Sequence, residues 1–108
     1  MDKLPTEENV GGALRYLAET DQDYARLVAR VKALEFQVKT IKAIEYLDAD
    51  GTVAERDAKS YASKTFRAFT EDYENAVADC ETIKAKRKRA ELTIEVWRSL
   101  NANRRQAV

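Results

Sequence analysis

A heptad pattern in the second half of the chain constrains the fold more than any other feature. Its members alternate in steps of four and three residues: Phe69, Tyr73, Ala76, Cys80, Ile83, Arg87, Ala90, Ile94, Trp97 and Asn101. A mean spacing of 3.5 residues is typical of an α-helix that packs along one stripe against another helix. No glycine or proline interrupts residues 52–101, so the sequence predicts one helix, helix C, over about 52–101.

A second apolar series precedes helix C and predicts helix B over about 21–49. Its members are Leu27, Val31, Leu34, Val38, Ile41, Ile44 and Leu47. Gly51 suits the left-handed residue that ends a helix, and Thr52 with Glu55 forms a capping box that starts the next one. A short glycine turn between two amphipathic helices predicts an antiparallel hairpin.

A shorter helix A is expected over about 6–19. Pro5 and Thr6 are typical of a helix start, and Val10, Leu14 and Leu17 are expected to share one side. The segment from Thr20 to residue 23 is a capping-box pattern, which predicts that helix A ends there. The expected fold is therefore all-α, a long coiled-coil-like antiparallel hairpin with a short N-terminal helix, in a single domain over residues 1–108.

The predicted lengths leave helix C without a full partner. About fifty residues at a rise of ~1.5 Å make a rod of roughly 75 Å, and helix B covers little more than half of it. A thin helical hairpin buries little apolar surface for its size. We therefore expect a homo-oligomer that associates through the seams of helices B and C.

The composition argues against an enzyme. The chain has no histidine, one cysteine and three glycines, so it lacks the commonest general base and the residues of a phosphate-binding loop. Neighbouring carboxylates such as Glu71 and Glu74 would be solvated on a thin rod, and Cys80 has no histidine to activate it. We expect no catalytic residue, no cofactor and no small-molecule substrate.

Metal binding and membrane insertion are also not expected. Asp48 to Gly51 resembles the middle of an EF-hand loop, but the first carboxylate would fall on Tyr46 and the twelfth ligand would be Asp57 instead of glutamate. No apolar run approaches the ~20 residues that span a bilayer. With a single cysteine, the chain is expected in the cytoplasm.

The net charge of zero conceals two opposite blocks. Residues 1–83 carry 11 basic and 17 acidic side chains, whereas residues 84–108 carry 8 basic side chains against Glu91 and Glu95. Such a division indicates either self-association or one end that meets a polyanion. A solvated basic helix end that complements its own dipole is the simpler alternative.

The basic block supplies the candidate nucleic-acid-binding residues, namely Lys84, Lys86, Arg87, Lys88, Arg89, Arg98, Arg104 and Arg105. Arg87 falls on the heptad seam, where a buried charge needs an acidic partner, a path to solvent or an anion. Trp97 could stack on an unpaired base, but its heptad position favours a core role. No other aromatic residue lies within the block, and nothing indicates sequence-specific readout.

Three stretches resemble small helical proteins of tailed bacteriophages: YLAETDQDY at 16–24, LDADGTVAER at 47–56 and EVWRSLNANRR at 95–105. The layout of a helix, a glycine-containing turn and a long basic helix that ends near a tryptophan also resembles the UvsY-type recombination mediators. This resemblance implies a homo-oligomer in the cytoplasm of the host cell that binds single-stranded DNA and helps to load a recombinase or annealing protein. It carries over as a class to the basic residues from Lys84 to Arg89.

Two hypotheses follow from the sequence. The first is a phage-type accessory protein of DNA recombination or replication, which binds single-stranded DNA non-specifically through the basic helix. The second is a coiled-coil adaptor or inhibitor that binds only proteins, in which the basic end meets an acidic partner or the acidic half of its own chain.

Overall fold

The protein is all-α. The computed structural model describes residues 4–107 and contains α1 (Glu7–Asp48), α2 (Val53–Ala62) and α3 (Lys64–Ala107). No strand occurs within residues 4–107. These three helices confirm the predicted all-α fold class.

The start of α1 follows from reciprocal capping. The Thr6 amide donates to Asn9 Oδ1 at 3.0 Å, and the Asn9 amide donates to Thr6 Oγ1 at 3.2 Å. These two bonds satisfy amides that have no partner within the helix. Glu7 and Glu8 in the first turn face the positive end of the helix dipole. The predicted helix start after Pro5 is confirmed.

The predicted division between helix A (6–19) and helix B (21–49) is wrong, because α1 continues without a break through Thr20. As a cap, Thr20 would accept a hydrogen bond from an amide three residues later. Instead, its hydroxyl donates to the Tyr16 carbonyl at 2.7 Å, inside the helix. The residues of the predicted helix A from Glu7 onward are consequently the first part of α1 and not a separate short helix.

One heptad seam extends along nearly all of α1. Its eleven positions alternate in steps of three and four residues, and every one is buried or half-buried: Val10, Ala13, Leu17, Thr20, Tyr24, Leu27, Val31, Leu34, Val38, Ile41 and Glu45. The sequence analysis placed three other residues on this face, and the structure exposes them. Leu14 is 54% exposed, Ile44 46% and Leu47 71%. Ala13 and Glu45 hold the corresponding seam positions.

The turn after α1 has the predicted chemistry. Gly51 has a φ of 118°, a conformation that costs an L-residue considerably more than glycine. Thr52 is extended and its hydroxyl accepts from the Glu55 amide at 3.2 Å, so it caps α2 as predicted.

Helix C, predicted without interruption over 52–101, is in fact two helices. Ser63 is extended, with φ −62° and ψ 138°, and separates α2 from α3. Its hydroxyl accepts from the Phe66 amide at 3.0 Å, so Ser63 caps the start of α3. The second helix continues to Ala107, beyond the predicted end near Asn101.

The ten predicted seam positions of α3, from Phe69 to Asn101, are all buried or half-buried. Ala76, Cys80 and Ala90 are the most protected of them. Small side chains at these positions allow a neighbouring helix to approach closely. The predicted seam of α3 is confirmed.

The chain forms two compact units, and both long helices run through both of them. The first unit comprises residues up to 25 and from 81 onward, and the second comprises residues 26–80. In the first unit, Arg87 contacts residues 17–21, and Trp97 lies beside Pro5 and Thr6. The two helical segments of this unit are therefore antiparallel.

In the second unit, polar contacts attach α2 to the end of α1. Arg56 Nε donates to the Tyr46 carbonyl at 3.2 Å, and Lys59 donates to the Asp50 carbonyl at 2.7 Å. Lys42 lies 3.7 Å from Asp57 and 3.8 Å from the centre of the Tyr61 ring. Because carbonyls near a helix end lack partners within the helix, these basic side chains stabilise the turn.

Candidate nucleic-acid interface

Arg87 is the central side chain of the basic segment, and it is turned toward α1. Its Nη1 donates to the Leu17 carbonyl at 2.9 Å and to Thr20 Oγ1 at 2.6 Å. Its Nη2 forms an ion pair with Asp21 Oδ1 at 2.6 Å. The guanidinium also lies 5.2 Å from the centre of the Tyr24 ring, within the range of a cation–π interaction.

These contacts explain two sequence features that appeared unrelated. The charge on the α3 seam and the polar break in the α1 seam at Thr20 form one polar layer between the helices. The Arg87 side chain is only 15% exposed, so its burial depends on the ion pair and the hydrogen bonds. Since those bonds engage both terminal nitrogens, we assign Arg87 a positioning role and do not retain it as a phosphate ligand.

The other seven candidate cations remain exposed along α3: Lys84, Lys86, Lys88, Arg89, Arg98, Arg104 and Arg105. Lys88 lies 3.9 Å from Glu91, and Arg98 lies 3.7 Å from Glu95. All four of those side chains are at least half exposed, so the pairs are weak and can exchange for other anions.

The cations between 84 and 89 occupy two flanks of α3. Lys84 and Lys88 are one turn apart and therefore share a flank. Lys86 and Arg89 share the other flank, and the seam toward α1 lies between the two pairs. Among residues 4–107, no carboxylate forms an ion pair with Lys84, Lys86 or Arg89.

On the first flank, α1 contributes an aromatic ring to the basic surface. Tyr24, Lys84 and Lys88 line one open groove of about 480 Å³. Tyr24 is half-buried, and Arg87 lies against its ring. A ring with lysines around it is the combination that proteins use to hold single-stranded nucleic acid, because the ring can stack on a base and the lysines attract phosphate.

The second flank repeats this arrangement. Tyr16, also half-buried, lines a groove of about 310 Å³ with Lys86 and Arg89. Sequence reasoning missed both tyrosines because they lie at least sixty residues before the basic block. Their positions on and beside the α1 seam could have revealed them once the antiparallel register was known.

The end of α3 forms a third basic surface. Trp97 is half-buried on the seam, as its heptad position predicts. It lines an open groove with Arg104, Arg105 and Asn101, and the start of α1 contributes Glu7. The Tyr24 groove also contains acids, Glu81 and Glu91, whereas the Tyr16 groove contains none, so the Tyr16 groove is the most attractive of the three to phosphate.

The first unit brings the two charge blocks of the sequence side by side. Its α1 segment, residues 4–25, carries five acidic side chains and one basic one, whereas residues 81–107 carry three acidic and eight basic. The unit is therefore almost neutral as a whole. Its attraction for a polyanion depends on local cation pairs and not on a strong overall field.

The remaining chemical candidates do not assemble into a site. Cys80 is buried and has a free thiol, and Glu71, Asp72 and Glu74 are exposed, as are Asp79 and Glu81. In the described part of the chain, no three potential metal ligands cluster.

No protein-family model, curated protein or solved structure matches the chain. The resemblance to recombination mediators therefore stays a prediction. Within residues 4–107, none of the helices is both long enough and apolar enough to cross a membrane.

Proposed function

We propose that this protein is a phage-type accessory protein of DNA recombination or replication that binds single-stranded DNA without sequence preference. As a homo-oligomer, it would hold the strand on α3 and assist a recombinase or an annealing protein. The observation that carries the proposal is the pairing of each tyrosine groove with two cations, Tyr24 with Lys84 and Lys88, and Tyr16 with Lys86 and Arg89.

The chemistry of these grooves favours unpaired strands. Stacking on an aromatic ring requires an accessible base face, which a duplex conceals, and it tolerates every base. The cations would contact phosphates and release counterions, a contribution independent of sequence. Neither groove contains an asparagine or glutamine, the side chains that read adenine edges.

A fluorescence-anisotropy titration of a labelled oligothymidine tests the proposal. The variant with Lys84, Lys86, Lys88 and Arg89 all changed to glutamine should bind about tenfold or more weakly at low salt, because four phosphate contacts are lost. A control variant makes the same charge change at four exposed cations of the second unit, Arg26, Lys32, Lys39 and Lys64. We expect this control to bind within about twofold of the wild type.

Two variants of Tyr24 test the contribution of base stacking separately from that of the cations. Tyr24→Phe keeps the ring and should bind like the wild type, whereas Tyr24→Leu keeps seam packing but removes the ring. Since stacking contributes about 1–3 kcal/mol per base, Tyr24→Leu should weaken binding by about fivefold or more. Equal binding by both variants would refute the role of the groove.

The alternative function is a helical adaptor or inhibitor that binds only proteins. The near neutrality of the first unit favours it, because the basic segment already lies beside an acidic one. An oligomeric state that changes with ionic strength, without any binding to single strands at low salt, would support this alternative.

A further inference from the structure

An apolar stripe occupies the outer face of α1 in the second unit. Phe36 is 73% exposed, Ile44 46% and Leu47 71%, and Ala33 and Ala43 on the same face are also exposed. Single exposed apolar side chains are ordinary, whereas a contiguous set marks an interaction surface. We define the stripe as Ala33, Phe36, Thr40, Ala43, Ile44 and Leu47.

The stripe lies on the opposite side of α1 from its seam. At 100° per residue, the stripe positions fall within about 100° of one another, and their centre is roughly 150° from the seam position of Glu45. Leu34, on the seam, is 5% exposed. The stripe is therefore a second apolar face, which the intramolecular packing of its unit leaves uncovered.

Five of the six stripe positions, all except Ala43, are spaced palindromically. From Ala33 through Phe36, Thr40 and Ile44 to Leu47, the steps are three, four, four and three residues. Two copies of such a helix, antiparallel about a two-fold axis at Thr40, bring Phe36 level with Ile44 and Ala33 level with Leu47. An isologous interface requires this self-complementarity, and an unrelated partner does not.

The charges at the two ends of the stripe complement each other in the same arrangement. Arg30 and Asp48 are eighteen residues apart, which is five full helical turns, so they lie on the same edge of α1. Both are exposed, and neither forms an ion pair within residues 4–107. A two-fold axis near Thr40 brings Arg30 of one copy close to Asp48 of the other.

We propose that the stripe is a homodimerisation surface, on which a second copy of the chain packs α1 against α1 in antiparallel orientation. This interface differs from the seams through which the sequence predicted association, because those seams are already protected within one chain. One stripe covers on the order of 400 Å² per copy, about half of the share in a standard interface, so a weak dimer is expected whose population rises with protein concentration.

Sedimentation velocity over a range of micromolar concentrations tests the surface. The wild type should shift from monomer to dimer, whereas Phe36→Glu should stay monomeric with unchanged helical circular dichroism. Leu92→Glu is the control, because Leu92 is 52% exposed on α3 and lies off the stripe. It should dimerise as the wild type does. A wild type that stays monomeric, or a Phe36→Glu variant that still dimerises, overturns the proposal.

Disulfide cross-linking tests the two-fold axis in a Cys80→Ala background, which removes the only cysteine. Thr40→Cys lies on the axis and should oxidise to a covalent dimer. Ala33→Cys should not, because seven residues on either side of the axis separate the two copies by about 21 Å. Equal cross-linking at both positions would indicate a parallel pair and overturn the antiparallel geometry.

The charge pair supplies an independent readout of the same geometry. Arg30→Asp should weaken dimerisation, and the double variant Arg30→Asp with Asp48→Arg should restore it, since the ion pair reforms with reversed polarity. None of these measurements involves DNA, so their outcome is independent of the proposed function. A double variant as weak as Arg30→Asp would refute the predicted pairing.

Discussion

Truncation of Arg87 to alanine should destabilise the fold much more than truncation of its exposed neighbours. The side chain is 15% exposed and donates three hydrogen bonds to α1, at 2.6, 2.6 and 2.9 Å. Arg87→Ala removes all three bonds together with the contact to the Tyr24 ring.

The magnitude follows from what the truncation leaves behind. Asp21 is 65% exposed, so its carboxylate returns to water at little cost. Thr20 still donates to the Tyr16 carbonyl, so its hydroxyl keeps one partner. The main loss is the charge-assisted bonding of Arg87, about 2 kcal/mol of the free energy of unfolding.

Replacement of Arg87 by leucine, in contrast, should not destabilise the fold. Arg87→Leu fills the same seam position with an apolar side chain, and such replacements of buried polar clusters are often neutral or stabilising. We therefore expect Arg87→Leu to unfold at the same urea concentration as the wild type or at a higher one. The polar layer would then contribute to the register between the helices more than to their stability.

Urea unfolding, followed by circular dichroism, measures both variants. With an m-value of about 2 kcal/mol per molar, Arg87→Ala should lower the midpoint by about 1 M. Arg89→Ala, two residues further along on the exposed flank, is the control and should stay within about 0.5 kcal/mol of the wild type. If the two alanine variants unfold at the same midpoint, the structural role assigned to Arg87 is refuted.

Three further predictions concern the second unit, and thermal or urea unfolding measures each. Gly51→Ala should cost about 1–2 kcal/mol because Gly51 has a φ of 118°, and an unchanged stability would contradict this backbone argument. Thr52→Ala should cost about 1 kcal/mol through loss of the cap on α2, whereas Thr52→Ser should retain it. The pKa of Lys42 is raised, chiefly by the hydroxyl of Tyr61 and further by Asp57. Its stabilising contribution is therefore complete below the ordinary lysine pKa and is lost as the pH rises through the higher folded value. The midpoint difference between Lys42→Met and the wild type should accordingly be constant up to about pH 10 and shrink above it. A difference that does not change with pH would contradict the assignment.

The heptad period made much of the fold predictable. The α3 seam from Phe69 to Asn101, the glycine turn at Gly51 and the cap at Thr52 all followed from local sequence signals. These features depend on residues close together in the chain, and their physical causes, helical periodicity and backbone conformation, are equally local.

The two wrong helix boundaries have different causes. Thr20 carries a genuine capping signal, but a hydrogen bond from Arg87, sixty-seven residues away, engages its hydroxyl within a continuous helix. Ser63 carries only a weak signal, because Phe66 cannot return the hydrogen bond that glutamate would supply in a capping box. The sequence therefore predicted a helix boundary at Thr20 that does not exist, and it did not predict the boundary at Ser63.

The candidate site was predictable only in part. The basic residues of α3 were evident from the sequence, yet the role of Arg87 depends on α1. The tyrosine grooves likewise require the register between the two helices, which sets Tyr24 beside Lys84 and Tyr16 beside Lys86. A charge count along one segment cannot reveal such pairs.

The salt dependence of single-strand binding tests the central claim most directly. Anisotropy titrations of a labelled single strand at several salt concentrations give the slope of log affinity against log salt. Four phosphate contacts from the cations between Lys84 and Arg89 predict a slope of about −3, with weaker binding to a duplex of the same sequence. No binding at about 20 mM salt, where counterion release is most favourable, would contradict the claim. The basic segment would then be a protein-binding surface.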